Sequence, residues 1–350
     1  MALLWIEGFE AFGVTNGNAP VGLQAKYDNA IVDSLVGTVQ AGRTAGHCMR
    51  ITSGGTFVGK TVSPSGSGTM IVGFGFYTDS FTTAEQVLFQ FWDGNSGQGT
   101  LALQTSGLWK YYRGGNLGLT GNLLGTSSGS AISASTWYYI ELKVKFDGST
   151  GTVDLLVNGS NVLSLTSQNT SRTGNSQATG VMFEGSLQSS DHTQFDDIYV
   201  LDTTGSLNNT FLGAQVVRMI VPASDAGTNQ YTPDSGTTHY NRLTENPQDT
   251  TTYLADSTTG DRELFGMGTL NLAAIAGLQI NTVAAATDNT VYSIKNSTHT
   301  SGGTDTDQTA VTVADTNYQT VSNVLQINPE TSALWHQAGV NGCQFGFKTG

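Results

Sequence analysis

Trp92-Asp93-Gly94-Asn95 places an aromatic ring beside a carboxylate and an amide on a short turn. Trp109-Lys110-Tyr111-Tyr112-Arg113 gathers rings and cations in one short run, bounded by Gly107 and Gly114-Gly115. A ring that stacks on a sugar, with amide and carboxylate groups to hydrogen-bond its hydroxyls, is the chemistry of glycan recognition. Trp92, Asp93, Asn95, Trp109, Tyr111, Tyr112 and Arg113 are therefore the candidate ligand contacts. The second run also reads as a strand with an aromatic inner face, because alternate residues share a side.

Cleaving a glycosidic bond needs two carboxylates flanking one cleft. Glu141 alternates with Lys143 and Lys145, the pattern of a solvated face. Asp196 and Asp197 are adjacent, so on a regular strand they point to opposite sides of the sheet. His47, His192, His239, His299 and His336 are scattered, and none has metal-ligand spacing with another. Cys48 and Cys343 stand near opposite ends, which excludes a disulfide framework and reads as separately packed thiols. Hydrolysis is disfavoured, and no catalytic residue is assigned.

The elements that must position these groups are strands. Residues 70–77, 87–92 and 101–104 are rich in β formers. In the segment 137–146, Ile140, Leu142, Val144 and Phe146 fall on one side. Asp147-Gly148 turns the chain, residues 152–157 return it, and Asn158-Gly159 turns it again before the strand 162–165. Phe195 to Leu201 closes the set. This spacing of strands and turns predicts an antiparallel sandwich. The polar stretch 206–213 reads as a linker between a domain over 1–205 and a second β-sandwich over 214–350. Residues 270–286 are compatible with either helix or strand. No internal repeat suggests a solenoid or propeller.

The chain has 350 residues, 44 of them Gly, and only 12% are charged. Thirty-two aromatic residues, 5 Trp, 12 Tyr and 15 Phe, argue against disorder. The net charge of −13 disfavours nucleic acid and anionic membrane surfaces as partners. The first residues lack the basic start of a signal peptide, and no apolar run is long enough to span a bilayer. So little Lys, Arg and Pro leaves sheet edges unprotected, which points to a homo-oligomer, a trimer or dimer.

The hairpin carried by Trp137, Glu141, Lys143, Val144, Phe146, Asp147-Gly148, Val153–Val157 and Asn158-Gly159 resembles the concanavalin A-like (laminin-G-like) jelly-roll family. Gly8-Phe9-Glu10 resembles its first strand, and Phe195–Val200 its closing strand, which returns beside the first. The resemblance implies an all-β jelly-roll sandwich over about 200 residues. Enzymes of that family alternate carboxylates as Glu-x-Asp-x-Glu on one strand, and no such run is present. Its lectins bind Ca²⁺ through Asp and Asn near a loop rim. That leaves Asp196 and Asp197 as the metal candidates, with Asp191 and the Asp93/Asn95 pair beside them. Asp305-x-Asp307 lacks the later acidic ligand of a calcium loop, and turn capping accounts equally for such Asp and Asn residues.

The two-part layout resembles tailed-bacteriophage virion proteins, through residues 225–233, 253–256 leading to 263–265, and the ending 328–335 with 345–348. That resemblance implies a non-enzymatic structural protein on the particle surface, a capsid decoration or cement or a tail- or baseplate-attached module. Its partners would be other virion proteins. It would be made in the bacterial cytoplasm and released by lysis. The alternative is a receptor-binding, tail-fibre-like lectin for a host surface polysaccharide.

Overall fold

The computed structural model describes residues 2–13, 26–30, 36–39, 42–52, 56–66, 68–81, 84–116, 119–129, 131–185, 192–246, 250–288 and 290–350. Contacts along the chain divide it into two compact units, Met1–Val217 and Arg218–Gly350.

The strands of the first unit are β1 (Leu3–Glu7), β2 (Asn29–Ala30), β3 (Val36–Val39), β4 (Cys48–Ile51) and β5 (Phe57–Thr61). Then come β6 (Thr69–Thr78), β7 (Gln86–Asp93), β8 (Ser96–Leu103), β9 (Trp109–Asn116) and β10 (Leu119–Thr126). The set ends with β11 (Tyr138–Lys145), β12 (Gly151–Val157), β13 (Ser160–Gln168), β14 (Gly180–Glu184) and β15 (Thr193–Asp202). One sheet runs β13-β12-β11-β6-β15-β4-β3, with β1 also paired to β15. The other runs β10-β9-β8-β7-β14-β5-β2. Every pairing among the described residues is antiparallel, and the closing strand lies beside the first, as Trp5 opposite Val200 and Ile6 opposite Tyr199. Gly8-Phe9-Glu10, however, falls past the end of that first strand, where Phe9 has φ 63° and Glu10–Phe12 form a 3-10 turn.

Alternation decides which residues meet between the sheets. Ile140, Leu142 and Val144 of β11 face inward beside Phe74, Val72 and Met70 of β6. Phe183 on the second sheet packs against Phe74 and Phe195 on the first, with centroids 5.4 and 5.1 Å apart. Phe89 lies 5.7 Å from Phe74, and Trp109 lies 5.5 Å from Phe76. Such ring pairs stabilise beyond their area burial. This is an antiparallel jelly-roll β-sandwich with an aromatic layer for a core. The Asn158-Gly159 turn has both residues at positive φ, 50° and 78°, as a two-residue hairpin requires.

The second unit contains β16 (Pro222–Asn229), β17 (Thr232–Pro233), β18 (Leu254–Ala255), β19 (Arg262–Met267) and β20 (Leu278–Ala284). It continues with β21 (Tyr292–His299), β22 (Asp305–Asp307), β23 (Val311–Val313), β24 (Gln319–Leu325), the short helix α1 (Gln337–Gly342) and β25 (Gln344–Thr349). The ambiguous stretch 270–286 resolves into irregular chain and the strand β20, in keeping with its Thr282-Val283 pair. A sheet ordered β16-β19-β25-β21-β22, with β23 on β21, is layered against the β20–β24 ribbon. Buried Asn296 joins the two layers. Its Nδ2 donates to Val321 O at 3.1 Å and Asn323 Oδ1 at 2.8 Å, and its Oδ1 accepts from Thr282 Oγ1 at 2.6 Å. The apolar filling is split into two small clusters, around Phe265/Phe347 and around Trp335/Phe345. This is a second, smaller sandwich.

Phe183→Ala removes a ring that touches Phe74, Phe89 and Phe195. Its expected cost is about 3–5 kcal/mol of the first unit's stability, read as a lower urea midpoint. An unchanged midpoint would contradict the aromatic layer as the unit's core.

Candidate functional site

The structure separates the predicted glycan contacts into two groups. Trp109 and Tyr111 are fully buried in the aromatic layer. Neither can stack on a sugar, so the reading of β9 as a strand with an aromatic inner face is the correct one for them. Burial also raises the Tyr111 hydroxyl far above its ordinary pKa. Tyr112 points the other way and is nearly buried, its hydroxyl donating to Glu85, which also pairs with Lys110 at 2.7 Å. It too is removed from the ligand set.

Trp92, Asp93, Asn95 and Arg113 remain, and hydrogen bonds through Gln90, Asn116, Arg172, Gln98 and Thr173 link Trp92 to Asp93. Trp92 is half-buried and donates through Nε1 to Gln90 Oε1 at 2.9 Å. Gln90 Nε2 donates to the Asn116 carbonyl at 2.8 Å. Asp93 Oδ2 accepts from Thr173 Oγ1 at 2.6 Å and Asn175 Nδ2 at 2.9 Å. Asn95 is exposed at the tip of the β7–β8 turn. Arg113 follows Trp109 and Tyr111 at strand spacing and emerges where the core ends.

Arg172 is the member that local sequence did not signal. It is exposed, and its Nη1 donates to the Gly115 carbonyl and, at 3.2 Å, to Asn116 Oδ1. Its backbone N donates to Gln98 Oε1 at 2.6 Å. Glycines make this approach possible. A Cβ on Gly114, which has φ 72°, would lie 2.6 Å from Arg172 Cδ, and one on Gly97 or Gly121 would overlap neighbouring backbone. Arg113, Arg172, Gly114, Gly115, Asn116 and Thr120 line a pocket of about 260 Å³, with Gly121 and Asn122 completing it.

Asp196 and Asp197 do something other than the sequence pattern indicated. The pairing of β15 with β6 is irregular between Asp196 and Tyr199, and Asp197 adopts φ 49°. This bulge breaks the alternation and turns both carboxylates toward Arg43. Asp196 Oδ2 accepts from Arg43 N at 2.7 Å, and Asp197 Oδ2 pairs with Arg43 Nη2 at 2.9 Å. Asp197 Oδ1 accepts from Val217 N at 2.7 Å. Arg43 also lies 4.8 Å over the Tyr139 ring. Both carboxylates are thus engaged by structural donors, and no cluster of three His, Cys, Asp or Glu able to hold a metal occurs among the described residues. Asp191 lies outside the described residues. Asp305 and Asp307 are likewise engaged, by Arg262 at 2.5 and 2.7 Å and by Lys348 at 3.1 Å. The hydrogen bond from His299 is the main cause holding Asp305 below the usual carboxylate range.

Glu141 is a second correction. It is buried, not solvated, because the segment after β15 covers it. Glu141 Oε1 accepts from the Tyr199 hydroxyl and from Gly213 N at 2.9 Å. The Tyr199 ring rests on Gly73, where any Cβ would collide with it. Residues 212–217, part of which reads as a linker in the sequence, therefore belong to the first unit and are hydrogen-bonded to its sheet.

A jelly-roll sandwich with a polar rim is the class of protein that the fold and site define. No protein-family model matches the chain, and no curated protein matches it. Among solved structures it is similar to the alginate lyase Aly36B, at 16% identity and TM-score 0.42 over 56% of this chain and 96% of that one. It is also similar to the binding domain of Paraclostridial Mosquitocidal Protein 1, at 17% and 0.36 over 49% and 44%. A third is Trypanosoma rangeli sialidase, at 10% and 0.35 over 54% and 30%. At these values no residue role carries over to this chain.

Burial, then the charge of Asp197, pushes the Asp196 carboxyl up to about 7, and burial, then Asp196, pushes nearby Glu10 up to about 8. The folded chain holds these protons where the unfolded chain has released them. Their contribution to stability is full below about pH 4 and is lost as pH rises through about 7 and about 8. The unfolding temperature should therefore drop more between about pH 5 and about pH 8 in the natural chain than in Asp196→Asn. Parallel profiles would show that Asp196 does not titrate in this range.

Proposed function

We propose that the protein is a non-enzymatic structural component on the surface of a tailed-phage particle, held in place by contacts with neighbouring virion proteins. The observation that carries this reading is a pair of strand edges that are left largely open among the described residues. β10 ends one sheet and β13 ends the other, and the two lie side by side. Ser128 N donates to Val162 O at 3.0 Å, and a Cβ on Gly125 would lie 2.9 Å from Leu165. Neither strand contains a charged residue or a proline, and Leu123 on β10 is 51% exposed. Free proteins blunt such edges with Lys or Pro, because an unpaired edge recruits another chain. Among the described residues, the only interruptions in these two strands' pairing are irregularities at Leu123/Gly125 on β10 and in the β12–β13 register. An edge of this kind suits a subunit that is covered on assembly. The resemblance to phage virion proteins supplies the particle, and the neighbour that covers the edge is another subunit of it.

A second reading is favoured by the rim. Trp92 and Asp93 share one hydrogen-bond network with Arg172, which lines a pocket with Arg113, and this supports glycan binding at that end of the sandwich, as in a receptor-binding lectin of the same particle.

Leu123→Lys places a charge on the open edge at a position the core does not use. It should weaken association with neighbouring subunits by about tenfold or more, measured by sedimentation or by incorporation into particles, with the unfolding temperature unchanged. Undiminished incorporation would remove the edge as the contact.

A further inference from the structure

We infer that the pocket between Arg113 and Arg172 is a binding site for the carboxylate of an acidic sugar, such as a uronate residue within a surface polysaccharide. This inference rests on the glycan-binding reading of the rim and names the ligand that reading would take.

The charge arrangement carries it. The chain holds 14 Lys and Arg against 27 Asp and Glu. Arg43 is neutralised by Asp197, Arg242 by Asp234, and Arg262 by Asp305 and Asp307. Arg113 and Arg172 are not. Among the described residues, no carboxylate lies within ion-pair distance of either. Their partners are neutral. Arg172 donates to the Gly115 carbonyl and to Asn116, and Arg113 Nη1 donates to Asn169 at 2.6 Å when the Asn169 amide oxygen faces it. Both guanidiniums line one pocket, and glycines and uncharged side chains make up the remainder of its wall.

Each guanidinium has five N–H donors, so donors remain on both after the internal bonds are made. A planar fork matches a carboxylate better than it matches a hydroxyl, and charge-assisted bonds of this kind are the strong ones. Asn116, Thr120 and Asn122 supply neutral hydrogen-bonding groups for ring hydroxyls. Trp92 is joined to the pocket through Gln90 and the Asn116 carbonyl, which places an aromatic surface on the same rim. The volume, about 260 Å³, suits one sugar residue of a longer chain. Glycines at 97, 114 and 121 fix the shape, because side chains there would collide with Arg172 or with backbone.

The test uses the full chain with oligogalacturonate as probe, its methyl ester as the uncharged control, and a neutral oligoglucan. Binding is read by calorimetry at low and high salt. The natural chain should bind the acid about tenfold or more tightly than the ester, and added salt should weaken it. Arg113→Gln should lose about 10- to 100-fold in affinity with its unfolding temperature retained. Arg172→Lys keeps a charge but not the fork and should lose less than Arg172→Gln. The two Arg172 variants are compared only where each unfolds cooperatively, and Arg113→Gln stands alone otherwise. Equal binding of acid and ester, or of the natural chain and Arg113→Gln, overturns the carboxylate site. Binding of the neutral oligoglucan alone would leave the glycan reading standing and sink this one. No binding of any probe would count against both.

Discussion

Everything in the first unit depends on two sheets hiding a shared aromatic layer. Phe74, Phe76 and Phe195 on one sheet meet Phe89, Phe183 and Trp109 on the other. Apolar burial between sheets is what holds a sandwich closed. With only 12% of the chain charged, this layer is what offsets the cost of ordering the fifteen strands described in this unit. It also consumes the largest side chains of β9. That is why Trp109 and Tyr111 are unavailable to ligands, and why the first side chain of β9 that reaches the rim is Arg113.

The outer face of the β11-β6-β15 region obeys a different constraint. It is polar, yet it is covered. Gly73 and Gly75 make a flat floor on which Tyr199 and Arg43 lie. Residues 212–217 close over them, with Glu141 and Asp197 accepting their backbone N–H groups. Buried carboxylates are tolerated because each has donors on it. The acid groups that looked like candidate metal ligands are in this way part of the covering of the sheet. Among the described residues, the polar groups outside that covering lie at the rim and along the sheet edges.

Much of the fold was legible in the sequence. Residues 137–159 show it best, because the alternation of Ile140, Leu142, Val144 and Phe146 and the Asn158-Gly159 turn are local signals. The misread residues depend on distant chain. Glu141 shares a face with Lys143 and Lys145 and looks solvated, and the groups that engage it, Tyr199 and Gly213, lie far along the chain. Asp196 and Asp197 obey the two-residue period until a bulge breaks it, and nothing in their neighbours announces that bulge. Arg172 stands alone among Ser and Thr, and it joins Arg113 only through the folded hairpin. Trp109-x-Tyr111 is the same pattern whether its rings face a core or a ligand, so period alone could not decide between them.

The central claim is that the open edges of the first unit are covered by other subunits in a virion. Amide hydrogen exchange, compared between the isolated chain and the assembled particle, tests it most directly. The account predicts fast exchange along Leu119–Thr126 and Ser160–Gln168 in the isolated chain and strong protection of both in the particle. Equal exchange in the two states, or particles that do not contain the chain, would contradict it.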